Sequence, residues 1–147
     1  MQLTPINCTN FKSRQLARLL TRHYDAELAK AGLKGTQFSL LTHVQRFGPI
    51  TPGILAKRMG LDASKLTRNL QPLLRAGWLV QDVGLNARNR FISMTPAGFE
   101  KQAEADLHWL IAQESVKTLL GHERATALVK LIDECLERMQ SVNAEHS

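Results

Sequence analysis

Between Asp62 and Gly77 the chain sets Ser64, Lys65, Thr67, Arg68, Asn69, Gln71 and Arg75 among Leu66, Leu70, Leu73 and Leu74. Side chains of these polar types hold phosphate oxygens and read base edges. With Leu66 taken as inward and about 100° of rotation per residue, Ser64, Arg68, Gln71 and Arg75 point outward from one helix. Lys65 and Thr67 flank them. A second polar group follows at Asn86, Arg88, Asn89 and Arg90, in a turn-rich stretch with no apolar side chain at its tip. An extended arginine at such a tip suits the narrow, negative minor groove of DNA. Either group alone is also what a solvated helix face or a charged hairpin looks like. Their order along the chain gives them weight.

That order depends on the elements that carry them. Residues 10–31 read as a helix, with Leu16, Leu19, Leu20, Tyr24 and Leu28 at three- and four-residue steps and Gly32 after the run. Residues 36–47 form a second helix, closed by Gly48-Pro49. Thr51-Pro52 is a cap followed by proline at the first helical position, and it opens a short helix over 52–59. Gly60-Leu61-Asp62 leads into a fourth helix, 63–76. Trp78-Leu79-Val80 and 90–94 read as two strands of a β-hairpin around the loop 84–89. Thr95-Pro96 repeats the start device for a long helix over about 96–119. The last helix, about 122–142, carries an apolar stripe of Ala125, Leu128, Val129, Ile132, Cys135, Leu136, Met139 and Val142, the pattern of a seam against another helix.

A short helix, a Gly-containing break, a second helix and a hairpin make the winged helix-turn-helix order. The expected fold is therefore mainly α with a small β-hairpin wing, in one domain spanning 1–147. The winged helix-turn-helix occupies 33–95, and helical segments 6–32 and 96–147 form a dimerisation region. Pro72 falls inside the fourth helix, where it removes one backbone hydrogen bond and crowds the carbonyl of Arg68, so a kink is expected there.

The charge agrees with this division. The 147 residues hold 19 Lys+Arg and 13 Asp+Glu, a net charge of +6. Residues 31–95 carry net +7, whereas residues 96–147 carry net −4. A basic middle suits a polyanion such as double-stranded DNA, because each neutralised phosphate releases counterions. No apolar run approaches the length of a membrane span, and the N-terminus lacks the apolar core of a secretory signal, so a cytoplasmic location without membrane attachment is expected. Two cysteines make no disulfide framework. No pair among the five histidines has metal-ligand spacing, and no phosphate loop, HExxH or GxSxG motif occurs. Neither an enzyme nor a metal or other cofactor is expected.

The stretches GLKGTQFSLLTHV, ITPGILAKRMGLDASKLTRNLQPLLRAGWLV and NARNRFISMTPAG resemble the multiple antibiotic resistance regulator (MarR) family of bacterial transcription factors. The resemblance covers about residues 10–140. It implies a homodimer in which the first and last two helices intertwine and each subunit offers one winged helix to a pseudo-palindromic operator. It implies a repressor released by a small aromatic or phenolic ligand, or by thiol oxidation. The family wing usually reads Asp-x-Arg, and here it reads Asn86-Ala87-Arg88, which lacks the charge that would help hold the arginine.

In relatives the effector pocket lies between the first helix, the second helix and the winged part. Arg22, His23, His43 and Arg46 are the polar candidates to line it here, since such groups pair with a carboxylate or phenolate. One branch of the family senses hydroperoxides through a cysteine in its first helix, but Cys8 stands before the helix proper. Cys135 belongs to the apolar stripe, where free cysteine acts as a small hydrophobe. Two alternatives to a ligand-released repressor follow: a thiol-based sensor of the same fold, and a protein-interaction winged helix without DNA binding. The retained basic residues Arg68, Arg88 and Arg90 favour DNA.

Overall fold

The computed structural model describes residues 4–82 and 90–145. Helix α1 (Thr9–Leu28) runs into a 3-10 turn over Ala29–Ala31, and Gly32 ends it with φ +74°, in the left-handed region that glycine adopts without strain. The expected helix over 10–31 thus tightens in its last turn, because the chain must reverse before α2 (Gly35–Phe47). Helices α3 (Pro52–Met59) and α4 (Ala63–Arg75) follow, then strands β1 (Leu79–Gln81) and β2 (Ile92–Met94). The long helices α5 (Pro96–Leu120) and α6 (His122–Glu145) complete the described chain.

The two strands pair antiparallel, Leu79 with Met94, Val80 with Ser93 and Gln81 with Ile92. Both are shorter than, or shifted from, the expected 78–80 and 90–94, for local reasons. The Trp78 carbonyl accepts from the backbone N–H of Thr95, in register with the strand pairing, and from the Thr95 hydroxyl, at 3.1 Å each, so the pairing runs on into the residue that caps α5. At the other end the Asp82 carboxylate accepts from the Phe91 N–H at 2.8 Å, which closes the described ladder at Gln81 and Ile92. Ile50 extends the sheet by a bridge to Ile92, whose N–H donates to the Ile50 carbonyl at 2.8 Å.

Alternation of residue type dictates the core. Leu40, Leu41, Leu55, Leu73, Ile92 and Ala105 are wholly buried, so α2, α3, α4, β2 and α5 converge on one apolar centre. Burying a leucine side chain contributes about 1.5–3 kcal/mol. The core therefore fixes the winged unit, from α2 to β2, against the middle of α5. By contrast α6 packs against α5 and is exposed along nearly its whole length. Leu128 of its stripe is half-buried and Ala125 buried, while Val129, Ile132, Leu136, Met139 and Val142 are exposed. On α5, Leu107, Leu110 and Ile111 are exposed as well. No helix among the described residues is long and apolar enough to cross a membrane.

Candidate nucleic-acid interface and ligand cavity

Helix α4 is strongly amphipathic, and its start is chemically defined. The Asp62 carboxylate accepts from the Lys65 N–H at 2.8 Å, capping one of the free donors of the first turn. The preceding turn passes through Gly60 at φ +66°, and the Leu61 N–H donates back to the Ala56 carbonyl at 2.9 Å. Leu66, Leu70 and Leu73 are buried against α2 and α3, and Leu74 packs at their edge. This anchors the opposite face outward. Ser64, Lys65, Thr67, Arg68, Gln71 and Arg75 are all exposed, and Asn69 is half-buried at the boundary. The Thr67 hydroxyl donates to the Ala63 carbonyl at 2.9 Å, which leaves its methyl group and its oxygen lone pairs for an outside contact. The helix continues through Pro72 to Arg75. The proline stands in the last turn, with only the Arg68 carbonyl deprived of its N–H.

The hairpin that should form the wing is partly visible. Arg90 is exposed, two residues before β2. Asn86, Arg88 and Asn89 lie outside the described residues. The wing's base is tied down where β1, β2 and α5 meet. The Thr95 hydroxyl donates to the Gly77 carbonyl at 2.6 Å and accepts from the Gly98 N–H at 3.0 Å. A Cβ on Gly98 would stand 2.1 Å from the Trp78 carbonyl oxygen, so only glycine allows α5 to approach this closely. The sequence Thr95-Pro96-Ala97-Gly98 is thus a lock between α4's exit and α5's entry.

A cavity of about 530 Å³ opens between α1, α2 and α5. Its wall is largely apolar and aromatic, with Tyr24, Phe38 and Trp109, and the polar residues Asp25, Thr42 and Asp106 also line it. Phe38 and Trp109 stack, with ring centroids 6.4 Å apart and planes 23° from parallel. The Tyr24 hydroxyl donates to Gln113 Oε1 across from α1 to α5, and burial pushes its phenol above the ordinary value. Asp25 Oδ1 accepts from the Gly35 N–H at 2.6 Å, so a residue of α1 caps the start of α2.

The four polar residues expected to line such a pocket do not line this cavity. Arg22 is exposed beside Arg14 and Arg18 on a separate shallow groove of α1. His23 meets Tyr24 edge-on at 6.4 Å. His43 is tied to the Ser39 carbonyl at 2.7 Å and turns toward Phe47, and Arg46 lies 5.7 Å from the same ring. Arg58 of α3 also sits over that ring, at 3.9 Å from its centroid, so Phe47 gathers two arginines and a histidine. The reason is height along the helix. Ser39 and Thr42 line the cavity, and His43 and Arg46 stand one turn further along the same faces of α2, beside Phe47 at its end. Asp106 and Trp109 come from α5, far along the chain, and periodicity within α1 and α2 carried no sign of them.

Both cysteines are free and exposed. Cys8 caps α1, its Sγ accepting from the Phe11 N–H at 3.3 Å, and Cys135 lies on the apolar stripe of α6. Among the described residues no three His, Cys, Asp or Glu side chains gather as a metal site.

Comparison with known proteins places this geometry. Residues 31–88, from the end of the α1 turn into the hairpin loop, match the model of the MarR family. The multiple antibiotic resistance protein MarR of Salmonella typhimurium is 33% identical over 106 residues, which cover 67% of this chain and 71% of that protein. Among solved structures, the M. tuberculosis transcriptional regulator MosR in complex with DNA superposes with a TM-score of 0.71 at 30% identity, covering 88% of this chain and 98% of the other. The transcriptional repressor CouR, bound to p-coumaroyl-CoA, shares the fold at a TM-score of 0.80 and 16% identity, over 92% of this chain and 98% of its own. A basic, exposed recognition face on α4, a locked hairpin beside it and these likenesses agree: the chain belongs to the MarR family of winged-helix, DNA-binding transcription regulators.

Proposed function

We propose that the chain acts as a homodimeric repressor that grips a pseudo-palindromic operator and lets go when a small molecule enters the α1–α2–α5 cavity. The observation that carries the dimer is the apolar stripe of α6. Val129, Ile132, Leu136, Met139 and Val142 are exposed on one helix together with Leu107, Leu110 and Ile111 of α5. So many large exposed apolar side chains on two neighbouring helices support a protein interface. Segments 6–32 and 96–147 are the dimerisation part in this reading, and 33–95 the DNA-binding part. Two copies related by a two-fold axis would present their α4 helices to major grooves about one turn, ~34–36 Å, apart.

In this reading Arg68 and Gln71 of each copy read base edges. Ser64, Lys65, Thr67, Asn69 and Arg75 border them, and Arg88, Arg90 and Asn86 serve the minor groove from the wing. The cavity supports release by a ligand, because its walls belong to both parts. Asp25 and Tyr24 lie on α1, Asp106 and Trp109 on α5, and Phe38 and Thr42 on α2, which packs directly against α4 and β2. A molecule that parts α1 from α2 changes where α4 stands relative to the rest of the dimer.

The test is a gel-shift of the protein on fragments from its own promoter region at two salt concentrations, paired with its sedimentation mass. A specific complex that weakens with salt, formed by a particle of two chains, supports the reading. A folded monomer, or a dimer without preference for any such fragment, overturns it.

A further inference from the structure

The α1–α2–α5 cavity carries a sign that identifies its ligand's charge. Two carboxylates line it, Asp25 and Asp106, and no Arg, Lys or His is among the described residues of its wall. Among the described residues neither carboxylate takes part in an ion pair. Asp25 is partly answered by the first turn of α2, whose Gly35 N–H it accepts. Asp106 has only the side-chain amide of Gln102, at 3.3 Å.

Thr42 and Asp106 of the wall share one buried partner. Gln102 is 1% exposed, and its amide nitrogen donates to Thr42 Oγ1 at 2.9 Å as well as to Asp106, two residues of the cavity wall. Its Oε1 is buried with no hydrogen-bond partner in this structure. The wall therefore carries two carboxylates and lacks charged donors. Its apolar part joins Leu20 and Leu28 to Tyr24, Phe38 and Trp109, whose ring faces attract a cation as well as a flat ring.

We propose that this cavity binds a lipophilic aromatic amine in its ammonium form, with Asp106 as its charge partner and the Phe38–Trp109 stack as its platform. An anionic aromatic acid of the same size meets two like charges and no cation, so the site discriminates against it. The volume of about 530 Å³ suits one such molecule. This assignment rests on the reading of the cavity as the effector site and names the chemistry of its effector.

Two probes of matched shape and opposite charge test it: 1-naphthylmethylamine and 1-naphthylacetate. Binding is read on the full-length protein without DNA, by quenching of tryptophan fluorescence and by thermal shift. The amine should bind about tenfold or more tighter than the acid, a difference of ~1.4 kcal/mol. Asp106→Asn retains an oxygen that can accept from Gln102 but removes the charge. It should weaken the amine about fivefold or more, leave the acid no weaker, and keep the melting temperature of the free protein within a few degrees. Equal binding of the two probes, no binding of the amine, or an amine affinity untouched by Asp106→Asn would each overturn the assignment. The effector reading has its own readout, the same amine added to a preformed operator complex. An amine that binds through Asp106 yet releases no DNA leaves the ligand class standing and removes its role as effector.

Discussion

The backbone of Gly98 lies so close to the carbonyl of Trp78 that a methyl group added at its Cα would stand 2.1 Å from that oxygen. The contact joins the first turn of the long helix to the residue that leaves the recognition helix, with Thr95 bridging both. It makes the orientation of the winged unit on α5 a matter of backbone fit, which side-chain flexibility cannot adjust.

Gly98→Ala should therefore destabilise the fold by about 1–3 kcal/mol, the usual cost of overpacking where backbone must shift. Chemical denaturation of the variant and the parent checks this. A loss below ~0.5 kcal/mol would show that α5 can slide away from Trp78 without penalty.

The seam on α6 gives a second expectation. Ile132 is exposed in the single chain and central to the apolar stripe. Ile132→Asp places a charge where a second copy would bury a methyl group, which costs several kcal/mol if it remains unpaired. The parent should sediment at twice the 16.5 kDa of one chain, and the variant near that single mass, with weaker operator binding. A parent that sediments as one chain at micromolar concentration sinks the dimer.

Arg68 and Arg88 should fail in different ways. Arg68 is exposed on the outward face of α4. If it pairs with guanine, Arg68→Ala costs ~1–3 kcal/mol and relaxes preference at one operator position. Arg88, which the sequence puts at the wing tip, should act through charge in the minor groove. Arg88→Ala is expected to weaken operator and random DNA alike and to make the salt slope shallower by about one. Titrations at several salt concentrations separate the two. Unchanged affinity and slope in both variants, with the folded dimer intact, would leave DNA recognition to other residues.

Acid should loosen the contact of α1 with α5. Glu27 accepts from Lys30 at 2.9 Å and pairs with His108 of α5 at 3.1 Å. The hydrogen bonds from Lys30 and then from His108 hold its carboxyl below the usual value. A carboxylate so depressed stabilises the fold above the ordinary carboxylate range, ~4.3 for glutamate, and its contribution is lost as pH falls through the lowered folded value. Melting temperatures of the parent and Glu27→Gln should therefore differ most near neutrality and converge in acid. A difference that stays constant from neutral pH down to about pH 3 would mean that the pair contributes nothing through its charge.

Secondary structure and the recognition face were legible in the residues because both are local. The Thr51-Pro52 and Thr95-Pro96 starts, the glycines that end α1, α3 and α4, and the leucine period of α4 act over a few residues, so the exposed set around Arg68 followed from phase alone. The strand ends did not, since they depend on side chains at the hairpin's two ends: Thr95 caps α5 while bonding the Trp78 carbonyl, and the Asp82 carboxylate takes the Phe91 N–H. The cavity was the least legible. Its charge comes from Asp25 and Asp106, some eighty positions apart on helices whose relative rotation only the packed core decides. His43 and Arg46 share faces with Ser39 and Thr42 but stand one turn beyond the cavity, beside Phe47. Burial in the core depends on a residue's own face, which sequence displays; a shared wall depends on how faces from distant helices meet, which only the folded chain determines.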